Sequence, residues 1–513
     1  MIGRKSICAV VLALLGAGML SGSASAHGFG ERYDLPVPLS LYMGGAALAV
    51  VLSFAVIGAF TASTRTGVVE HGHGYVTLNV RRLPMGSAIA HPVLLFALKG
   101  GAVSVMVIYI VAGYAGSPDP TRNPVPVMTW AILWIGIAYV SAFVGNIWAL
   151  INPWKVAYGW AESVYRWMGG RDLSHRAKYP ERLGAWPAFA LFSAFAWVEI
   201  VDPQSAVPSR VATMALLYSL VTFAGMFWFG RGVWLRNGEF FSLIFGFLSK
   251  FSPTEVHVWQ PDGKPGPVDD YEAFAAASQK NREWNIRPWG AGLLSATPLS
   301  LSQATLLVLL LATVSFDGFT ETPLWANAAS KGYNSLRFLG DDVFTATKTI
   351  GLMVGATLFF AVFYLVALLI GQLAGKTAPS FTPAQLVQTF AYSLVPIALA
   401  YHLAHFFSFL AIQGQLIIPI ASDPFTHGWD IFGTADWRPN VGIVNARLIW
   451  FLSISAIVVG HIVAVYVAHV YALRVFGDRL VALRSQLAML VLMVAYTMIS
   501  LWIVAQPITI ESR

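Results

Sequence analysis

Charge is scarce in this 513-residue chain: Asp, Glu, Lys and Arg together make up 11% of it. Soluble domains carry about a quarter charged residues, so a water-soluble enzyme is excluded. Cysteine is nearly absent. Cys8 stands alone, in a segment expected to be removed, which leaves no disulfide framework and no thiolate metal ligand. Also missing are a GxxxxGK[ST] loop, a GxGxxG turn opening a soluble strand–helix unit and a G-x-S-x-G elbow, which argues against nucleotide use and an ATP-driven pump. No C-x-x-C-H is present, so covalent c-type haem is excluded.

What is abundant is apolar surface. The chain is 57% hydrophobic, with 33 Phe, 18 Tyr and 18 Trp, and its mean hydropathy is +0.64. That is the opposite of a disordered composition. The fold class expected is all-α, a polytopic transmembrane helix bundle. The formal charge of +7 reads as membrane topology, because the basic residues gather in particular inter-helix loops rather than on one solvated face. No nucleic acid partner is expected.

Arg4 and Lys5 precede an apolar stretch from Ile7 to Leu20, and Ala24-Ser25-Ala26 follows. This is the layout of a bacterial-type secretory signal, so residues 1–26 are expected to be cleaved, leaving His27 first. An uncleaved anchor is the alternative. Residues 27–513 then form one integral membrane domain. Ten apolar runs near the ~20 residues needed to cross the hydrocarbon layer are expected at 38–60, 91–114, 126–150, 185–201, 211–230, 298–316, 347–373, 385–410, 444–472 and 487–506. Segment 238–250 is too short to cross and reads as interfacial or re-entrant.

Loops 61–90, 151–184, 231–297, 374–384 and 473–486 carry 20 Lys and Arg, against seven in the segments that alternate with them. That bias predicts an inner-membrane protein with the basic loops cytoplasmic and both mature ends on the exterior. The stretch 251–297 is expected to be a cytoplasmic connector, with a Pro/Gly-rich piece at 261–267 and a helix-like run from Tyr271 to Glu283.

Ionisable groups within spans are costly and mark the first places to look for chemistry. His402 and His405 lie three apart in the eighth span, on one helix face. The loop that follows holds Asp423, His427, Asp430 and Asp436, and a freed N-terminus would bring His27 and Asp34 to the same side. Imidazole and carboxylate without thiolate suit zinc or another borderline divalent metal. The plainer reading satisfies each imidazole with a neighbouring hydroxyl such as Tyr401, Ser408 or Tyr392.

His461 and His469 share a face of the ninth span but lie ~12 Å apart along the axis, too far to share a metal. His461 would reach a group on another helix, and His469 would sit at the cytoplasmic interface. A terminal His27 followed by Gly28-Phe29-Gly30 could chelate copper through its amine and ring. His71-Gly72-His73 reads as a solvated loop. Glu199 and Asp202 are either paired carboxylates or, with Pro203, a helix stop, and the stop is favoured. Lys99, deep in the second span, is expected to form a structural ion pair or to snorkel.

Three stretches carry a more specific likeness: HGFGERYDLPVPLSLYMGGA at 27–46, GNIWALINPWK at 145–155, and SLVPIALAYHLAHFFSFLAIQGQ with SDPFTHGWDIFGTADW within 393–437. In these the chain resembles bacterial multi-spanning membrane proteins of the fenitrothion hydrolase family, organophosphorus-triester hydrolases. The resemblance implies cleavage of a phosphotriester or thiophosphate ester with a nitrophenol-type leaving group, the apolar substrate arriving from the lipid bilayer. The family supplies no assigned catalytic residues.

For such a reaction our own assignment of roles makes His402 and His405 ligands for zinc or copper, Asp423 or His427 a third ligand or base, and His27 a further metal ligand, at an exterior-facing site. Two other classes stay open. One is a membrane protein that binds or transports a metal such as copper, with Lys99, His402 and His461 lining a path. The other is an accessory factor of a redox complex holding b-type haem through His402 or His405.

Overall fold

The computed structural model describes residues 33–60, 77–80, 91–259, 265–267, 278, 281–375 and 379–510. The expected signal peptide, His27 and His71-Gly72-His73 lie outside the described residues. Among the described residues ten helices are long and apolar enough to cross a membrane, and the protein is an all-α, multi-pass membrane bundle.

The main helices, in chain order, are α1 (Leu39–Phe60), α2 (Pro92–Ala115), α3 (Pro124–Phe143), α4 (Pro153–Trp167), α5 (Trp186–Ile200), α6 (Pro208–Phe229) and α7 (Phe240–Ser249). They continue with α8 (Leu301–Thr320), α9 (Val343–Ala374), α10 (Leu394–Gln413), α11 (Ala446–Phe476) and α12 (Leu487–Ile508). Several starts combine a polar cap with proline in the first turn, where the missing N–H costs nothing. His91 caps α2 ahead of Pro92, and Asn123 caps the helix start at Pro124. Ser300 and Gln303 form a reciprocal capping box at the head of α8.

The chain divides into two compact units. The first gathers Met1–Gly72, Thr297–Ser408 and Gly442–Arg513, and the second His73–Ala296 and Phe409–Val441. In the first unit α10 and α11 cross closely at Gly460, where a Cβ would collide with Ala400 and lie 2.7 Å from the Pro396 carbonyl oxygen. Likewise a Cβ at Gly318 of α8 would collide with the Tyr401 hydroxyl. These two glycines bring α8, α10 and α11 together around Tyr401. Two-residue strands β1 (Tyr33–Asp34) and β6 (Thr509–Ile510) pair in parallel in the same unit.

In the second unit the short apolar helix α7 packs inside the protein. Phe240, Phe241, Leu243, Ile244, Phe245, Phe247 and Leu248 are all buried within the protein, the usual fate of an apolar helix too short to span. The third span ends at Phe143, and Trp148–Ile151 is a separate turn of helix. Its first half, Val127–Gly136, is wound as a π-helix.

The connector expectation also needs correcting at its end, since the helix-like run does not extend to Glu283. Residues Arg282–Ile286 are strand β5, in an antiparallel sheet of order β2-β5-β3-β4 with β2 (Leu78–Asn79), β3 (Thr254–Trp259) and β4 (Pro265–Pro267). On β3 it is Glu255 and His257 that are buried, where Arg287 bonds Glu255 at 2.8 Å and the Ser252 carbonyl at 3.1 Å. The alternation of Val256 and Val258 with Glu255 and His257 is there, but it is the polar side that faces inward.

Candidate functional site: a histidine–aspartate pair among the spans

Tyr401, His402 and His405 sit on α10 just beyond its tight crossing with α11. Tyr401 and His405 are four apart, so they share a face, and their rings stack at an angle of 29° with centroids 6.2 Å apart. That face turns to the end of α8. There His405 Nε2 lies 2.9 Å from Asp317 Oδ2, with both side chains only partly exposed. The carboxylate fixes the ring, so the imidazole presents Nδ1 as a potential proton acceptor when Nε2 carries the hydrogen.

His402 is buried at 5% exposure. Its ring centroid is 4.8 Å from that of Phe406, and Phe406 also meets the His405 ring edge-on at 4.7 Å. The two imidazoles therefore share an aromatic neighbour while only His405 pairs with Asp317. Tyr401 is 1% exposed, and its hydroxyl finds no hydrogen-bond partner among the described residues. Its ring lies 6.4 Å from that of Tyr496 on α12, which in turn lies 5.8 Å from the ring of His461 on α11.

His461 bonds its own helix, Nδ1 donating to the Ile457 carbonyl at 2.8 Å, rather than a polar group on another helix. His469 is fully buried within the protein and meets the Gln486 side-chain amide at 3.0 Å. The ion pair expected of Lys99 does not form with any described residue. Lys99 is partly exposed on α2, which leaves the snorkelling alternative. Asp202 serves as the favoured helix stop, accepting Gln204 N–H at 3.0 Å and bonding Arg210 Nε at 2.7 Å.

Asp423 and His427 belong to the second unit, whereas His402 and His405 belong to the first. Asp423 is the hub of a tight loop, accepting backbone N–H groups from His427 at 2.9 Å, Gly428 at 2.7 Å and Trp429 at 3.2 Å. Partial desolvation pushes its carboxyl up, but those three donors and the nearby His427 imidazole outweigh that and hold it below the usual carboxylate range. The His427 ring is flanked by Phe425 and Trp429. Among the described residues no three His, Cys, Asp or Glu side chains are placed to hold one metal ion. His27, the remaining expected ligand, lies outside the described residues.

A fully buried carboxylate away from this pair was not singled out from the sequence. Glu239, fully buried, caps α7 by accepting Phe241 N–H at 3.1 Å and Ser242 N–H at 2.9 Å. It also accepts from Ser242 Oγ at 2.5 Å, Asn152 Nδ2 at 3.0 Å, Trp148 Nε1 at 3.3 Å and the Tyr218 hydroxyl. The available signal was an acid standing directly before an apolar run, a helix N-cap pattern. No family model, curated protein or solved structure matches the chain.

Proposed function

We propose that the protein is a membrane-embedded hydrolase of uncharged organophosphorus triesters, with His405 as the general base and Asp317 as the residue that orients it. The observation that carries this reading is the 2.9 Å Asp317–His405 pair on two helices apolar enough to span, where an ionisable pair is costly without a task. The resemblance supplies the bond to be cleaved. We further place the protein in a bacterial inner membrane with both ends outside, on the distribution of Lys and Arg.

In the proposed reaction His405 removes a proton from water as the water oxygen bonds to phosphorus. The bond from phosphorus to the aryl oxygen breaks, and its electron pair departs with the phenolate. A carboxylate-held imidazole is suited to this because the Asp fixes its tautomer and stabilises the imidazolium that forms. A divalent metal is implied by the expected chemistry, but the described donors do not converge on one, so no step is routed through a metal.

The test uses the full chain in nanodiscs and a nitrophenyl dialkyl thiophosphate, read by nitrophenol absorbance. His405→Gln and Asp317→Asn should each lower the rate by about 10² or more, the usual contribution of positioned general-base catalysis. Undetectable turnover by the native chain, or unchanged rates in both variants, would sink the assignment. Exhaustive chelation in the same assay tests the metal separately.

A second reading, movement of a proton or metal ion, is favoured by one observation: the buried Tyr401 and His461 flank Tyr496, and Tyr401 Oη and His461 Nε2 find no partner among the described residues. Such groups line relays in membrane proteins. Dye-reported cation flux into proteoliposomes, lost in His461→Gln, is its signature.

A further inference from the structure

The first unit contains a cavity of about 450 Å3 bounded by α8, the helix Pro323–Ser335, α9, α12 and the start of α10, with Phe316, Phe319, Trp325, Phe359 and Met493 in its wall. That is the size of a pocket for a small organic molecule. The side-chain polar groups in the wall, apart from the Trp325 indole, are the hydroxyls of Ser315 and Tyr496. Ser315 Oγ lies 2.6 Å from the Leu311 carbonyl oxygen and 2.5 Å from Tyr496 Oη. A carbonyl only accepts, so the single Ser315 proton goes to Leu311, and the proton between the two hydroxyls comes from Tyr496. Neither hydroxyl keeps a donor for an occupant.

An occupant with a carbonyl or phosphoryl oxygen at this depth would lose its hydration and gain no hydrogen bond from them, which is unfavourable. A hydrocarbon surface pays no such penalty. The mouth is set by Val354 and Leu358 of α9 and Ile499 of α12, which line the cavity yet are 62%, 59% and 50% exposed. These lie on helices apolar enough to span, so the opening faces where lipid would be.

We propose that this cavity is a lateral pocket that takes the hydrocarbon body of an uncharged molecule directly from the bilayer. Its occupant is either a phospholipid acyl chain or the apolar part of a free small molecule, which share the chemistry the wall selects. As the entry site for a triester substrate the pocket rests on the hydrolase reading; as a hydrocarbon site it stands without turnover.

The experiment is photolabelling of the full chain in nanodiscs with adamantyl diazirine, an uncharged hydrocarbon probe, followed by peptide mapping. Lining peptides of α9 and α12 should be labelled about tenfold above α2, the ratio that a 1.4 kcal/mol preference gives; α2 is a span with none of its window buried. Ala495→Trp, which fills the pocket, should bring the labelling down to the α2 level, whereas Ser315→Ala should not. If Ala495→Trp fails to fold, Val354→Trp at the rim makes the same test.

Even labelling of α2, α9 and α12 in the native chain, or enrichment that survives both tryptophans, overturns the proposal. Displacement of the probe by excess nitrophenyl triester supports the pocket with a free small molecule as occupant. Resistance to the triester together with a co-purifying phospholipid supports it with an acyl chain. Because the label needs no ester cleavage, its failure and the failure of the hydrolase reading are separate results.

Discussion

Glu239 in the second unit and Asp317 in the first are carboxylates set in opposite surroundings. Glu239 is fully buried and surrounded by donors from its own helix, from Asn152 and Trp148, and from Tyr218. Asp317 keeps about a quarter of its side chain exposed and is met by one imidazole. A carboxylate whose lone pairs are all engaged has no capacity left to change partners, and its work is to hold α7 against its neighbours. One with a single titratable partner retains that capacity. The difference teaches that the number of donors, more than burial itself, separates a structural acid from a chemical one.

The sharpest way to break that comparison is to remove each acid in turn. Glu239→Leu strands the Asn152 amide, the Trp148 indole and the Tyr218 hydroxyl, and should cost about 3 kcal/mol or more, since each buried donor left unpaired costs ~1–3 kcal/mol. Thermal unfolding in detergent, followed by tryptophan emission, would show the loss. Asp317→Asn keeps the shape and one acceptor, and should stay within about 1 kcal/mol of the native chain while slowing the proposed reaction by about 10² or more. Equal destabilisation by both substitutions would erase the distinction.

The spans were legible in the sequence because an apolar run of membrane length leaves the backbone little choice but helix. Even α5, whose helix proper is only Trp186–Ile200, stood out. His402 and His405 were legible for the same reason, as imidazoles inside such a run. Asp317 was not: the apolar run of the sixth span fades at Phe316, yet the helix continues to Thr320 and carries Asp317 within it, 88 residues from His405. Glu239 and Arg287 were hidden in another way. Their partners are 87 and 32 residues distant, and hydrogen bonds across such separations leave no periodicity behind.

A smaller effect tests the rim of the second unit. Asp202 is 5% exposed, while the Arg210 side chain that pairs with it is 41% exposed. Solvent screening on the arginine side limits the pair to about 1 kcal/mol, well below the loss expected at Glu239. Arg210→Ala should therefore shift the unfolding midpoint slightly, and Arg210→Lys less. A loss as large as that of Glu239→Leu would mean that Asp202, too, is a structural hub.

The smallest effect is a pH dependence confined to the loop at Asp423. Its carboxyl is held below the usual range by the N–H groups of His427, Gly428 and Trp429 together with the His427 imidazole. A folded-state value below the unfolded one, which is near 3.9, means the carboxylate stabilises the loop fully above that value. The contribution is lost as pH falls through the lower, folded value. Hydrogen-exchange protection of those three amides, corrected for intrinsic rates, should be constant from neutral pH down to about 5 and decline only in stronger acid. In Asp423→Asn the protection should be lower throughout and flat in this range. A decline already complete near neutral pH would assign the titration to His427 instead, and would reverse the view that in this loop the aspartate organises the histidine.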